Sequence, residues 1–542
     1  MANSRSGALL RWAASLALLL PVIALYACEF LRGDGRSFTG FIQYDQVSYM
    51  ADARKFFDGG FHFFYGNPFS PDPQTPAIYF QIHLFVLGLV EKVTGWDPGA
   101  VYMLFGFVAG LVCVRVAMAL YEEVAGLRTL AEGIGLVLFV WGGGILALMG
   151  VAYHVIFSVG QPILPDLFRF DPDDGWWFLN LGRNLVFPTE AYYHTLVLGM
   201  ALMAMRRNFR AVIALGFVLF LSHPFTGLQF LLIFTVWAGL ESVVLKNREV
   251  PFLFAGTMSC LLLLHLFYYV LLLNLFPEHR ALFAQWSLAW NEPAATAVGA
   301  DLVVGLLAVW ALRKGGLLVR SSNRLLSTWF LLSLLLAHHD LFVHARQPLH
   351  FTRGYTWIAL FLLGVGPLLR LLNAGMGPSR RPFRWGALAF ILVVGLADNG
   401  VWLGSQMAGA LAPRWGLTGL PDASLPLDPG VREVFQWLMA RPAPHDELFV
   451  EANPDAQLPY LATAYTDYRG AYTHFASTPF AAQRRREIMD FIRAGRVPYG
   501  WQGRSVLVIV SKSREEVPPS VTQRSGIPVF EDDAYSIFRL KF

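Results

Sequence analysis

What most constrains this 542-residue chain is a succession of apolar runs separated by short polar links. Runs of roughly 17 to 25 residues match the thickness of a bilayer's hydrocarbon core, where the backbone must satisfy its own hydrogen bonds, so they read as spanning helices. They fall at 9–29, 99–121, 130–151, 191–206, 211–223, 225–245, 251–275, 294–312, 325–338, 355–372 and 386–406. A composition 55% apolar and only 15% charged agrees, and excludes an ordinary soluble fold of this size. The first run follows Arg5 and Arg11 and ends at Cys28-Glu-Phe-Leu-Arg, which lacks a small-x-small cleavage site, so it reads as a retained helix.

The break at Ser222-His-Pro-Phe-Thr-Gly is either a turn between two spans or a proline kink within one. Counted as a turn, it puts Arg206/Arg207/Arg210, Lys246/Arg248, Arg313/Lys314/Arg320/Arg324 and Arg370/Arg380/Arg381/Arg384 on the side of the N-terminus. The positive-inside rule makes that side cytoplasmic. The expectation is an α-helical polytopic membrane protein of about 11 transmembrane helices, with its C-terminal segment outside. The net charge of +4 belongs to these topogenic clusters and says nothing about ligands. No basic patch with interleaved aromatics stands apart from them, which disfavours a nucleic-acid partner.

The run Ala77 to Val93 would invert every later loop if it spanned, so it is expected to lie in the plane of the interface. The domain reading is a transmembrane domain at 1–412 with an elaborated external loop at 30–98, a Pro/Gly/Leu-rich linker at 413–429, and an extracytoplasmic α/β domain at 430–542. Glu447-Leu-Phe-Val-Glu, Ser505-Val-Leu-Val-Ile-Val and Tyr535-Ser-Ile-Phe-Arg-Leu read as strands; Val431–Ala440 and Phe480–Ala494 have helical periodicity. Cys28, Cys113 and Cys260 form no CxxC pair and read as buried small hydrophobes.

Three segments carry candidate chemistry. After the first helix, Asp45, Tyr49 and Asp52 fall on one face if Gln43 to Gly60 opens as a helix. Asp45 could instead complement a helix dipole, and Asp52 could pair with Arg54 or Lys55 at the surface. Between the ninth and tenth spans, His338-His-Asp-Leu-Phe-Val-His344-Ala-Arg346-Gln-Pro-Leu-His350-Phe-Thr-Arg353 places basic residues against the positive-inside trend. Arg353 and His350, with Arg346 beside them, are suited to a phosphate; the alternative is pairing with Asp340 or lipid headgroups. His338, His339 and His344 with Asp340 have the residue types of a metal site, but adjacent residues on one helix point apart, so a divalent metal is left open. The second external loop brings Asp166, Asp171, Asp173, Asp174, Trp176 and Trp177, then Glu190 at the head of the fourth span as a candidate second carboxylate. His223 at its helix junction could line a cavity or cap a kink.

The Asp after the first helix, the Tyr four residues on, the amphipathic segment ending in Gly59-Gly60, and Pro76-Ala-Ile-Tyr79 entering an interfacial helix resemble the GT-C superfamily of polyprenyl-phosphate-sugar-dependent membrane glycosyltransferases. The architecture is similar to that of its bacterial aminoarabinose-transferase and protein-mannosyltransferase branches. Tyr468-Arg-Gly-Ala-Tyr-Thr-His474 and Thr478-Pro-Phe are similar to tail segments of bacterial members, which implies a bacterial inner membrane. The resemblance implies sugar transfer, with inversion, from a polyprenyl-phosphate carrier to a lipid, glycan or protein acceptor on the extracytoplasmic face. It implies an essential acidic residue in the first external loop; Asp45 matches it, while Gln46 stands where the family often has a second carboxylate. On this reading Asp45 is the general base, Arg353, His350 and Arg346 hold the donor phosphate, and Glu190, Asp52, Tyr49 and His223 are candidates for a second carboxylate or the cavity wall. The alternatives are a transporter or lipid flippase, or a non-enzymatic envelope assembly protein.

Overall fold

The computed structural model describes residues 5–285, 290–313, 319–376, 381–417, 420, 424–441, 447–453, 458–513, 516–525 and 527–542. Every one of the eleven apolar runs contains a helix, from Arg5–Phe30 and Pro98–Ala125 through to Tyr355–Met376 and Arg381–Leu411. Among the described residues, seven are long and apolar enough to cross a membrane alone, and a bent pair would make an eighth. The chain is a multi-pass integral membrane protein, but the expected count of about eleven is reduced. Phe209–Phe220 has 12 residues, which at the helical rise reaches roughly 18 Å against a hydrocarbon core of roughly 30 Å. Ser321–Ala337 is also short, and Pro188–Met205 carries Glu190 and His194. The run at 130–151 is broken: Leu130–Trp141 and Leu146–Phe157 meet at 71° across Gly142-Gly143-Gly144. A side chain at Gly144 would run into the backbone of Gly299 and Ala300, where Ile145 donates its N–H to the Gly299 carbonyl at 2.8 Å. Lys314 and Arg380 of the basic clusters lie outside the described residues.

The chain forms two compact units. The first comprises Met1–Ala27, Phe105–Tyr268 and Leu288–Gly409, and is helical. The Ser222-His-Pro break is a turn here. Phe209–Phe220 ends, and Pro224–Gly239 begins with proline in its first turn and His223 as the N-cap, whose Nδ1 accepts the Thr226 N–H at 3.1 Å. At its basic end, Arg324 donates to both oxygens of Glu241 at 2.6 and 2.8 Å. Cys113 is buried as expected, whereas Cys260 is exposed on its helix.

The second unit comprises Cys28–Leu104, Tyr269–Ser287 and Ala410–Phe542, so the first loop and the C-terminal segment belong to one body. Its sheet has the order β2-β1-β3-β5-β4, with β1 at Glu447–Glu451, β2 at Arg469–Gly470, β3 at Ser505–Ser511, β4 at Phe530–Glu531 and β5 at Tyr535–Lys541. β2, β1 and β3 run parallel, and β5 closes antiparallel on β3 with Val508 opposite Phe538. The continuous apolar run of β3 follows from burial on both faces. Val506, Val508 and Val510 meet Leu448, Val450, Ile488, Phe491 and Trp501 in the core.

In the same unit, Gln46–Arg54 packs on Ile82–Thr94. The latter is a helix within the run expected to lie in the interface, starting later than Ala77. At 13 residues it is too short to span, and it leaves Val86, Leu89 and Val93 exposed opposite buried His83, Leu84 and Leu87. Gly88 permits the close approach, because a Cβ there would collide with the Ala53 carbonyl oxygen. In the segment read as a linker, Leu427 bridges Ser37, with N–H to carbonyl distances of 2.8 and 3.0 Å; residues 418–419 and 421–423 of it lie outside the described residues.

Candidate functional site

The first unit gathers Arg353, His350 and Glu190 at the head of the apolar helix Tyr355–Met376. A 3-10 turn, Pro348–Phe351, leads into it through two left-handed residues, Arg353 at φ 34° and Gly354 at φ 72°. Glycine is required at the second, since a Cβ would stand 2.8 Å from the Asn180 carbonyl carbon in addition to the unfavourable φ. The turn is locked from two sides. Asn184 Nδ2 donates to the Arg353 carbonyl at 3.1 Å, and His194 Nε2 lies 3.0 Å from the same oxygen. His194 Nδ1 lies 2.8 Å from the Glu190 carbonyl, and because a neutral imidazole has one N–H it donates to one of these oxygens at a time. Tyr355 stacks on the His194 ring at 4.7 Å.

The Arg353 guanidinium ion-pairs with the Glu190 carboxylate and contacts His350 Nδ1. Both charged side chains are buried, at 7% and 2% exposure. Glu190 is therefore the carboxylate partner of the arginine, a role the sequence reading did not assign to it. His350 is walled by rings: Phe225 stacks at 4.6 Å, and Trp177 from the second external loop stands edge-on at 5.0 Å. His223 faces Tyr193 at 4.6 Å while capping its helix.

The rest of the segment between Ser321–Ala337 and Tyr355–Met376 is built around His339. Arg346 is held through its backbone, whose N–H donates to His339 Nε2 at 2.9 Å. His339 Nδ1 donates in turn to the Leu336 carbonyl at 2.6 Å, so both its ring nitrogens are committed. Among the described residues no three His, Cys, Asp or Glu side chains converge as a metal site. His338 lies 3.7 Å from Glu292, whose carboxyl is pushed up to about 8 by burial and then by Asp301.

The segment between Leu146–Phe157 and Pro188–Met205 closes on a network that sequence reasoning missed. Buried Arg183 donates to Asp171 at 2.5 Å, to Asn399 Oδ1 at 3.0 Å and to the Asp398 carbonyl at 3.2 Å. Asp398 accepts the first N–H groups of Leu146–Phe157, from Leu146 at 3.2 Å and Ala147 at 2.8 Å. The signal was present: adjacent Asp398 and Asn399 inside an apolar span are expensive unless engaged. Asp166 pairs with His154 at 3.0 Å.

The second unit holds Asp45, Tyr49 and Asp52. Asp45 stands exposed as the N-cap residue of Gln46–Arg54, without a side-chain capping bond. Its N–H donates to Gln43 Oε1 at 2.8 Å, and its carbonyl accepts from Ser48 Oγ at 2.7 Å. The adjacent Tyr44 ring belongs to a stack with Tyr460 at 4.4 Å and His474 at 5.0 Å, which sequence reasoning also missed. Burial, then the charge of Asp45, raises the Tyr44 phenol above the usual tyrosine range.

Tyr49 stacks on Tyr102 at 6.1 Å. Asp52 does not pair with Arg54 or Lys55 as a surface group. Arg54 turns to Glu91 at 3.6 Å and Asp467 at 2.8 Å, and Lys55 to Asp58 at 2.5 Å. Burial, partly offset by Lys55, pushes the Asp52 carboxyl up to about 8.

No protein-family model and no curated protein matches the chain. Among solved structures it is similar to ArnT from Cupriavidus metallidurans in the apo state, with 13% identity over 97% of this chain and 98% of that one and a TM-score of 0.49. It is also similar to the archaeal oligosaccharyltransferase AglB from Archaeoglobus fulgidus in complex with an inhibitory peptide and a dolichol-phosphate, with 11% identity over 94% of this chain and 72% of that one and a TM-score of 0.41.

Proposed function

We propose that the protein is a membrane glycosyltransferase of the GT-C type, moving a sugar from a polyprenyl-phosphate carrier to a lipid, glycan or protein acceptor on the extracytoplasmic face. Asp45 is the general base. It takes the proton of the acceptor hydroxyl as the oxygen attacks the anomeric carbon opposite the phosphate, so the configuration inverts and no covalent enzyme intermediate is needed. The bond from that carbon to the phosphate oxygen breaks, and its electron pair leaves on the phosphate. Arg353, His350 and Arg346 stabilise that charge; Glu190 orients the Arg353 guanidinium.

The observation that carries this reading is the buried guanidinium of Arg353, fixed at the head of an apolar helix beside His350, whose ring is walled by Phe225 and Trp177. A cation so placed suits a phosphate ester whose tail lies in lipid. The exposed carboxylate of Asp45 is compatible with receiving a proton from an incoming hydroxyl. A transporter or flippase calls for exchangeable charge within the spans; Asp398 is there with its oxygens committed to two backbone N–H groups, and Asp301 within Ala294–Arg313 is the carboxylate that reading would use.

The test is radiolabelled sugar transfer from polyprenyl-phosphate sugars in membranes, comparing the wild type with Asp45→Asn and Arg353→Ala at matched expression. Loss of transfer of about 100-fold or more is expected in Asp45→Asn. Unchanged transfer in that variant overturns the base assignment. Absence of transfer by the wild type from every donor tried moves the assignment to the transporter or assembly reading.

A further inference from the structure

The α/β portion of the second unit carries no residue of the proposed catalytic set, yet it contains a cavity of about 240 Å³. The cavity lies where the loop at Pro71-Asp72 meets the N-terminal edge of parallel β1 and β3, with the helix Ala481–Ala494 and Trp501 on its other sides. Arg484 and Arg504 line it, together with the carboxylates of Asp72 and Glu487. Arg504 directs both terminal nitrogens at the Pro71 carbonyl, each at 3.2 Å, and neighbouring Arg469 donates to the Asp72 carbonyl at 3.0 Å. These bonds tether the loop and fix the two guanidinium planes.

Arg484 is held differently. Its Nε donates to the Pro479 carbonyl at 2.8 Å. Its two terminal nitrogens have no protein hydrogen-bond partner among the described residues, and it makes no ion pair there. The nearby acids keep their charge but hydrogen-bond neutral donors and form no ion pair with Arg484 among the described residues. Glu487 accepts from Gln483 Nε2 at 2.8 Å, Asp72 from the Gln74 N–H at 2.9 Å, and Glu278 from Ser70 at 3.0 Å and Thr75 at 2.6 Å. Burial holds Arg484 below the usual arginine range even with those three carboxylates near, and Arg504 adds to the depression. A half-buried guanidinium fork with unspent donors, beside a second arginine already immobilised, is the arrangement that a planar or tetrahedral oxyanion satisfies.

We propose that this cavity binds a small ligand bearing a phosphate or carboxylate, with Arg484 and Arg504 holding the oxyanion. The volume is below the roughly 300–1,000 Å³ of pockets for drug-sized ligands, so the body attached to the anion is compact, on the scale of one sugar ring. Two sources share this chemistry, a free anion and an anionic sugar unit. The proposal is independent of the transferase reading.

The experiment is calorimetric titration of the full-length protein in detergent with inorganic phosphate, glucose 1-phosphate and glucuronate, using wild type, Arg484→Gln, Glu487→Gln and Arg493→Gln. Arg493 is exposed on the same helix and serves as the control. Saturable binding is expected, weakened at least ~10-fold in R484Q, tightened in E487Q because an opposing charge is removed, and unchanged in R493Q. Binding by inorganic phosphate alone assigns the free anion; tighter binding of either sugar assigns the ring-borne one. Absence of saturable binding by all three, or equal affinity in wild type and E487Q together with equal affinity in folded R484Q, overturns the proposal. Should R484Q fail to fold, the opposite-signed effect of E487Q still decides it, and no tightening there counts against the site.

Discussion

Replacing Glu190 by glutamine should be the most damaging single change among the candidate-site residues, because it strands a cation. Glu190 and Arg353 are 2% and 7% exposed, so neither charge has water to fall back on. Arginine cannot shed its proton, and breaking a buried pair by removing one partner costs about 3–5 kcal/mol. The opposite truncation, Arg353→Met, is gentler in acid, since the carboxyl left behind can bind a proton and become neutral. The double variant removes both charges and should recover most of what E190Q loses. Thermal unfolding of the purified protein in detergent between pH 5.5 and 8.5 measures all three. E190Q unfolding within a degree of wild type, or a double variant as unstable as the sum of the singles, would refute the reasoning.

Asp52 gives a pH dependence with a definite sign. Its folded carboxyl is raised to about 8 from the unfolded value of 3.8, so the stability it contributes is fully present below about pH 4 and is lost as pH rises through about 8. Asp52→Asn should flatten that decline, gaining roughly 1–3 kcal/mol on wild type at pH 8 relative to pH 4.5; parallel unfolding-temperature profiles would contradict it. Gly88→Ala should cost about 1–3 kcal/mol, because the new Cβ meets the Ala53 carbonyl where two helices cross; chemical denaturation would read it, and a neutral result would mean the helices can separate freely. Asp398→Ala should cost about 1–2 kcal/mol by uncapping Leu146–Phe157. Faster hydrogen exchange confined to the first turn of that helix is the expected signature, and unchanged protection at Leu146 and Ala147 would refute the cap.

What was legible in the chain was whatever depends on neighbours in sequence. The apolar runs located every helix long and apolar enough to span among the described residues, and Pro224 after His223 marked a helix start because proline suits a first turn and histidine can cap it. The alternation-free run of β3 identified a buried strand. Span count was less legible, because hydropathy does not register where Gly142-Gly143-Gly144 lets a helix turn by 71°. Partnerships were least legible. Arg353 announced itself by standing against the positive-inside trend, but nothing local ties it to Glu190, and Arg183 finds Asn399 across 216 positions. For Asp52 the sequence leaves open a surface pairing with Arg54 or Lys55, yet both cations are drawn off by Glu91, Asp467 and Asp58, leaving the carboxyl to burial. The charge on a side chain is written in the sequence, whereas its protonation and its reach are set by which groups the fold spends elsewhere. The same rule singles out Arg484 in the tail, whose nearby acids hydrogen-bond neutral donors and form no ion pair with it among the described residues.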